Sequence, residues 1–283
     1  MDSATELYCL IGNPVAHSMS PEIHNSAFQK VGINACYLAF KVEDLNGAMK
    51  GFRALGIKGA SVTIPHKIKI IRLLDEIDST AKVIGAVNTI VRRNDTLIGY
   101  NTDGEGAVNA LRDNLGDLKK RKVTVIGSGG AARAVAITLA IKEKVKYINI
   151  IGIIPKEVAK LTRDIGENSS AGVRGVMLND ENLKSCLGES DLLINASPVG
   201  MHPDEGKSPV KPSLLRQDMA VFDVVYNPLE TKLLKDAKKI GAKTVCGVEM
   251  FINQAVLQFE LWTGKKAPVD LMRKIVLKKL AKK

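Results

Sequence analysis

The chain has 283 residues, enough for two domains with separate cores, and 45% hydrophobic with 25% charged residues is the balance of an ordinary folded protein. A formal charge of +11 admits nucleic acid, an acidic membrane surface or anionic small molecules as partners. Much of that excess sits in Lys265, Lys266, Lys278, Lys279, Lys282 and Lys283, which suit a solvated C-terminal helix, and no aromatics are interleaved there to stack on bases.

Other exclusions come from residue placement. No apolar run approaches the roughly 18–20 residues of a membrane span, and Asp2 and Glu6 precede the first apolar run where a leader would be basic. Cys9, Cys36, Cys186 and Cys246 are scattered, without the spacing of a metal site or a disulfide frame. The expectation is a cytoplasmic protein with no metal, no membrane anchor and no nucleic-acid partner. Aromatics at 4% predict an aliphatic core.

Residues 7–11 read as a first strand, and Gly12-Asn13-Pro14 as the turn after it. Ser20-Pro21-Glu22 is a helix start with a serine cap, and Ile23, Ala27 and Val31 mark the helix's buried face. Ser18 and Ser20 put two hydroxyls beside a helix N-terminus, a seat for a carboxylate or phosphate, or simply a cap. Residues 36–42 form a second strand. A helix from about Asp44 comes next, with Leu45, Ala48, Met49, Phe52 and Leu55 inward and Gly56 ending it. Ser61-Val62-Thr63 then runs into Ile64-Pro65-His66-Lys67, with Pro65 suited to a first helical position and Ile68, Ile71, Leu74 and Ile77 at helical spacing. Lys67 is thereby predicted in the first turn of a helix, where the dipole disfavours a cation. A hairpin is centred on Asn94-Asp95, with Asn88 heading its first arm and Asp103 opening the next helix.

The pattern changes after residue 121. A buried strand over 122–126 leads into Gly127-Ser128-Gly129-Gly130-Ala131-Ala132-Arg133-Ala134 and an apolar helix over 134–141. Strand, glycine turn and helix in that order is the context in which a glycine-rich loop binds dinucleotide phosphate. Strands over 147–151, 173–177, 191–195, 219–225 and 244–247 alternate with helices and predict a parallel sheet covered on both faces. Two amphipathic helices, about 249–262 and 269–282, end the chain.

Eight stretches in this order, GNPVAHSMSPEIHN, VTIPHK, GAVNT, NTDGEG, GSGGAARA, NASPVGM, DVVYNPLET and residues 247–254, make the chain resemble the shikimate dehydrogenase family from about residue 8 to its end. The resemblance implies an NADP-dependent oxidoreductase that interconverts 3-dehydroshikimate and shikimate in aromatic amino-acid biosynthesis. It implies an α/β substrate domain, residues 1–103 completed by 248–283, and a Rossmann-like, doubly wound dinucleotide domain over 104–247, with the reaction in the cleft between them. By the same resemblance Lys67 and Asp103 are the catalytic pair. Ser18, Ser20, Thr63, Asn88, Tyr226 and Gln254 hold substrate, while Gly127, Ser128, Gly129, Gly130, Ala131, Arg133, Ser197, Val224 and Gly247 hold cofactor. The expected partner is a small molecule, and the expected state a monomer or homodimer. A broader quinate/shikimate dehydrogenase and a non-catalytic metabolite sensor are the alternatives.

The chain departs from the family at one place. Where the family commonly has Asn-Arg-Thr after the second cofactor strand, with a further basic residue three positions on, this chain has Gly152, Ile153, Ile154 and Glu157. The usual arginine for the 2′-phosphate is Ile153, leaving Lys156, Lys160 or Arg133 to replace it. NADP(H) is the expected cofactor and NAD(H) the alternative.

Overall fold

The computed structural model describes residues 1–281; Lys282 and Lys283, counted above among the C-terminal charges, lie outside the described residues. The chain divides into two compact units, Met1–Thr102 with Gln254–Lys283, and Asp103–Asn253.

The first unit is built on a six-stranded mixed sheet from β1 (Glu6–Gly12), β2 (Ala35–Lys41), β3 (Gly59–Val62), β4 (Glu76–Ile77), β5 (Thr89–Arg93) and β6 (Thr96–Tyr100), in the order β2-β1-β3-β5-β6-β4. β1 lies parallel to both β2 and β3, whereas β5 runs antiparallel to β3 and to β6. The hairpin turn falls at Asn94, with φ 55°, as the Asn-Asp pair predicts. Helices α1 (Ser20–Val31), α2 (Leu45–Ala54) and α3 (Ser79–Ile84) belong to this unit, as does α10 (Val269–Leu280).

α2 starts where expected, Asp44 accepting a hydrogen bond from the Gly47 amide at 3.0 Å. Its Met49 and Phe52 join Cys9, Ile11, Val62, Ile70, Ile90 and Leu97 in one core. Leu55, read as inward, is 75% exposed because the helix ends at Ala54 and the chain turns away at Gly56. α1 buries Ile23, His24, Ala27 and Phe28, while Val31 stays half-exposed in its last turn.

A second hydrophobic layer departs from the aliphatic expectation. His24 stacks on Tyr37 at 4.7 Å, Tyr8 meets Phe28 at 5.1 Å and Trp262 at 5.4 Å, and Phe28 meets Phe259 at 5.5 Å. Five of the twelve aromatics make this layer, coming from β1, α1, β2 and the helix Gly247–Thr263. Burial among these rings pushes the His24 imidazole down to about 3, so it stays neutral.

The helix expected after Pro65 does not form. Residues 64–68 make turns, and Lys69–Leu73 a short 3-10 segment. The sheet captures the residues beyond it. The Asp75 amide donates to Leu97 O at 3.0 Å, and its carboxylate accepts from the Leu97 amide at 2.7 Å and from Arg53 at 2.9 and 3.0 Å. Glu76–Ile77 then pair with β6. Backbone pairing at the sheet edge thus overrides the helical spacing, and Ile68 is left 71% exposed.

The second unit is a six-stranded, wholly parallel sheet of β7 (Lys122–Ile126), β8 (Tyr147–Gly152), β9 (Gly172–Met177), β10 (Leu192–Asn195), β11 (Ala220–Asp223) and β12 (Thr244–Cys246), ordered β12-β11-β10-β7-β8-β9. Interleaved are α4 (Thr102–Leu115), α5 (Gly130–Thr138), α6 (Pro155–Asn168), α7 (Asp180–Gly188) and α8 (Lys232–Lys239), and α9 (Gly247–Thr263) leaves its last strand. This is the doubly wound arrangement, and its core is aliphatic, with Ile126, Ile151, Leu193, Val221, Leu183 and Leu233 packed together. The apolar helix predicted over 134–141 is divided: α5 stops at Thr138 and a π-helical turn spans Leu139–Glu143.

Buried polar contacts fix the loops of each unit. In the first, Gln258 of α9 accepts from Ser61 Oγ at 2.7 Å and donates to Thr89 Oγ1 at 3.0 Å. Tyr37 Oη donates to Ser61 Oγ at 2.7 Å, extending the chain of bonds to β2. In the second, Asp223 at the end of β11 accepts from Asn195 Nδ2 at 2.9 Å, the Val225 amide at 3.0 Å and Thr231 Oγ1 at 2.6 Å. Burial outweighs these three donors and pushes the Asp223 carboxyl up to about 6.

Replacing Gln258 with Leu should cost about 2–4 kcal/mol in urea unfolding, because Ser61 and Thr89 lose buried partners that water cannot replace. For Asp223 the raised value means the folded state holds more protons than the unfolded one between about pH 4 and pH 6, so its contribution to stability falls as pH rises through that window. Asp223→Asn should therefore gain on wild type by ~2–3 kcal/mol from pH 4 to pH 6 and no further above it, read from unfolding at each pH.

Candidate active site

In the first unit the strand directions bring the sequence-predicted substrate residues to one edge. β1 and β3 are parallel neighbours, so the loops leaving Gly12 and Val62 start side by side. The Asn13 amide donates to Ile64 O at 2.9 Å, and the Thr63 amide to Ile11 O at 3.0 Å, tying the two loops together. The first loop carries Ser18 and Ser20; the second carries Thr63 and Lys67.

Ser20 does not occupy the cap position. Helix α1 begins at Ser20 with Met19 as the flanking residue, and Ser18 Oγ accepts from the Ser20 amide at 3.2 Å. Both serines are half-buried at the start of the helix. Lys67, also half-buried, lies in the turn before the 3-10 segment, so opposition from an α-helix dipole does not act on it. Its position is set by the backbone: the Val87 amide donates to Lys67 O at 2.8 Å, and the buried ring of His66 binds Val42 O through Nε2 at 2.9 Å. His66 is an anchor that the sequence pattern did not single out, although its place beside Lys67 in the IPHK stretch was a usable signal.

Asn88 arrives from the opposite direction. β5 runs antiparallel to β3, with Thr89 beside Ser61, so the residue before β5 lies at the end of β3. Asn88 is fully buried. Its Oδ1 accepts from the Thr102 amide at 2.8 Å and from Thr89 Oγ1 at 2.8 Å, and its Nδ2 donates to Thr102 Oγ1 at 3.0 Å. Asn88 thus ties down the first residue of α4, and Asp103, the second residue of that helix, opens the other unit.

Gln254 lies on α9 one turn before Gln258, on the same side of the helix. Gln258 Nε2 donates to Asn88 O at 3.3 Å as well as to Thr89. Gln258, Thr89 and Thr102 were missed in the sequence; a lone glutamine four residues after Gln254 in an apolar helix was the available sign. Tyr226, in the second unit, stacks on Phe251 at 4.8 Å, and burial raises its phenol pKa.

The cofactor residues proposed from the sequence lie at strand ends of the second sheet. All its strands are parallel, and Gly127, Ser197, Val224 and Gly247 come after β7, β10, β11 and β12, which are consecutive in the sheet. β7 lies between β8 and β10, where the winding reverses and open α/β sheets bind ligands. Gly127 adopts φ 119°, and a side-chain carbon there would lie 2.7 Å from Ala196 O, so only glycine serves. At Gly129 and Gly130 such a carbon would meet nothing of the chain. This open backbone stands at the N-terminus of α5, whose flanking residue Gly129 offers no side-chain cap. Uncapped amides with room before them fit a pyrophosphate. Asn195 Oδ1 accepts from both the Ser197 amide and its hydroxyl, at 3.1 and 2.6 Å, holding the β10 loop.

The end of β8 is different. Ile153 is 73% exposed at the end of β8. Arg133, in the first turns of α5, pairs with Asp164 at 2.6 Å, and Lys160 reaches the same carboxylate at 2.9 Å. Burial opposes ionisation of Asp164, but the two cations hold its carboxyl below the usual range.

Comparison with known proteins gives these arrangements a family. The family model of the shikimate dehydrogenase substrate binding domain matches residues 10–90, and that of the shikimate 5′-dehydrogenase C-terminal domain matches residues 247–277. A shikimate dehydrogenase (NADP(+)) of Methanocaldococcus jannaschii is 43% identical, with all of both chains covered. The crystal structure of a shikimate 5-dehydrogenase from Listeria monocytogenes in complex with shikimate and NAD is 37% identical, with a TM-score of 0.94 over 98% of each chain. A shikimate dehydrogenase crystallised with NADP+ is 42% identical, with a TM-score of 0.90 over 99% of this chain and 97% of the other. With two family models in order and relatives alike over the whole chain, this chain belongs to the shikimate dehydrogenase family.

Proposed function

We propose that the chain is a shikimate dehydrogenase, an oxidoreductase that reversibly reduces 3-dehydroshikimate to shikimate in aromatic amino-acid biosynthesis, with NADP(H) as in its named relatives. The observation that carries the reading is the gathering of Ser18, Ser20, Thr63, Lys67 and Asn88 at one edge of one sheet, from three separate stretches of chain. Two serine hydroxyls at a helix start suit a carboxylate, and Thr63 and Asn88 offer donors and acceptors to ring hydroxyls. Tyr226 and Gln254 complete the substrate contacts. A small-molecule substrate acted on in the cytoplasm, by a monomer or homodimer, is part of the reading.

Gly127, Ser128, Gly129, Gly130 and Ala131, with Arg133, Ser197, Val224 and Gly247, would hold the cofactor. A bound nicotinamide supplies or takes up the hydride. The chain's own part is the proton and the charge. As the carbonyl is reduced, negative charge builds on its oxygen; the Lys67 ammonium stabilises that charge and delivers a proton to the oxygen. In the reverse direction the Lys67 amine accepts the hydroxyl proton. Asp103 orients the substrate hydroxyl for that transfer, completing the proposed catalytic pair.

The test is absorbance at the reduced nicotinamide band when purified protein is given shikimate or quinate with each oxidised cofactor. Growth of the band with shikimate supports the reading, and its absence in every combination would leave a non-catalytic family member. Lys67→Ala should lower turnover by roughly 10²–10⁴-fold with modest loss of shikimate binding, the scale of general acid–base catalysis. Turnover near wild type in that variant would remove Lys67 from the chemistry.

A further inference from the structure

Ser128, inside the glycine loop, is buried and donates its hydroxyl to Glu157 Oε2 at 2.9 Å. It lies over Gly152, the last residue of β8, where an added side-chain carbon would come within 2.9 Å of Ser128 Oγ and 2.6 Å of Val158. Glu157 is the third residue of α6, an ordinary place for an acid that complements a helix dipole. That explanation leaves the serine unaccounted for. The carboxylate is bonded to the phosphate-binding loop, and Ile154, the residue flanking α6, has no side-chain cap bond. A negative charge is thereby fixed where the glycine loop meets the end of β8.

In parallel α/β sheets the end of the second strand is where the adenosine ribose is read; a carboxylate there accepts from ribose hydroxyls, and a guanidinium there neutralises a 2′-phosphate. Here the strand end offers exposed Ile153 and Ile154, while Arg133 and Lys160 converge on Asp164. Lys156, beside Glu157 and exposed, is the remaining cation of that turn. We infer that Glu157, held by Ser128, is a specificity-determining residue at the adenosine end: it receives a ribose 2′-hydroxyl and opposes a 2′-phosphate, so that this chain takes NAD(H) alongside NADP(H). The inference rests on the reading of the glycine loop as a dinucleotide site.

Calorimetric titration of the whole chain with NADPH, NADH, 2′,5′-ADP and 5′-AMP tests it without reference to turnover. The wild-type chain should hold NADPH and NADH with affinities within about tenfold of each other. Glu157→Gln, an exposed change, should tighten NADPH and 2′,5′-ADP by about tenfold, because the phosphate loses a repelling charge, and weaken NADH and 5′-AMP by about two- to fivefold, because the 2′-hydroxyl loses a charged acceptor. Ser128→Ala, which frees the carboxylate, should move the NADPH-to-NADH ratio the same way by a smaller factor. A wild-type preference for NADPH above about a hundredfold, or a ratio unchanged within about twofold in Glu157→Gln, would overturn the assignment. Failure of all four probes to bind would overturn the dinucleotide reading itself, and this inference with it.

Discussion

Parallel pairing of β1 with β3, and antiparallel pairing of β3 with β5, is the constraint that gathers the residues proposed to hold substrate. A strand pair fixes where its ends emerge. Register between Ile11 and Val62 sets the loops bearing Ser18 and Lys67 side by side, and register between Ser61 and Thr89 puts Asn88 against them. None of these residues need find another through side-chain attraction, because sheet hydrogen bonds have already placed their backbones. Rigid strands carrying polar loops at one edge are a sound way to hold several groups about one small ring.

Buried polar contacts then make the loops single-valued. Asn88 uses both ends of its amide on Thr89 and Thr102, and Gln258 uses both ends of its own on Ser61, Thr89 and the Asn88 carbonyl. A buried amide with its partners satisfied adds modest stability, but any other arrangement would leave donors stranded, so the network selects one geometry. Asp223 does the same for the second sheet, joining the loops after β10 and β11 at the cost of a carboxyl held out of water. The two units thus use one device: a strand edge for placement, and a buried polar hub for uniqueness.

Much of this was legible in the residues, for identifiable reasons. Asn94-Asp95 announced its hairpin because few other residues accept positive φ, and the glycine loop announced itself through the strand before it and the helix after it. The helix after Pro65 failed because spacing at 68, 71, 74 and 77 is a local signal, whereas Asp75 was recruited by Leu97 and Arg53 from distant parts of the chain. The aromatic layer was invisible for the same reason: Tyr8, Phe28, Tyr37, Phe259 and Trp262 have no periodicity and meet only once the strands pair. Ile153 stood out among the residues as a departure, whereas the bond between Ser128 and Glu157 beside it required coordinates.

In the proposed function one sheet edge holds one anionic ring, with its carboxylate on Ser18 and Ser20. Calorimetric titration of shikimate into wild type and into a Ser18→Ala, Ser20→Ala double variant addresses it most directly. Affinity should fall by about 10²-fold or more in the double variant, the scale of two hydrogen bonds to a charged group, with unfolding lowered by no more than about 2 kcal/mol for the lost Ser18 bond. Equal affinities in the two proteins would contradict it.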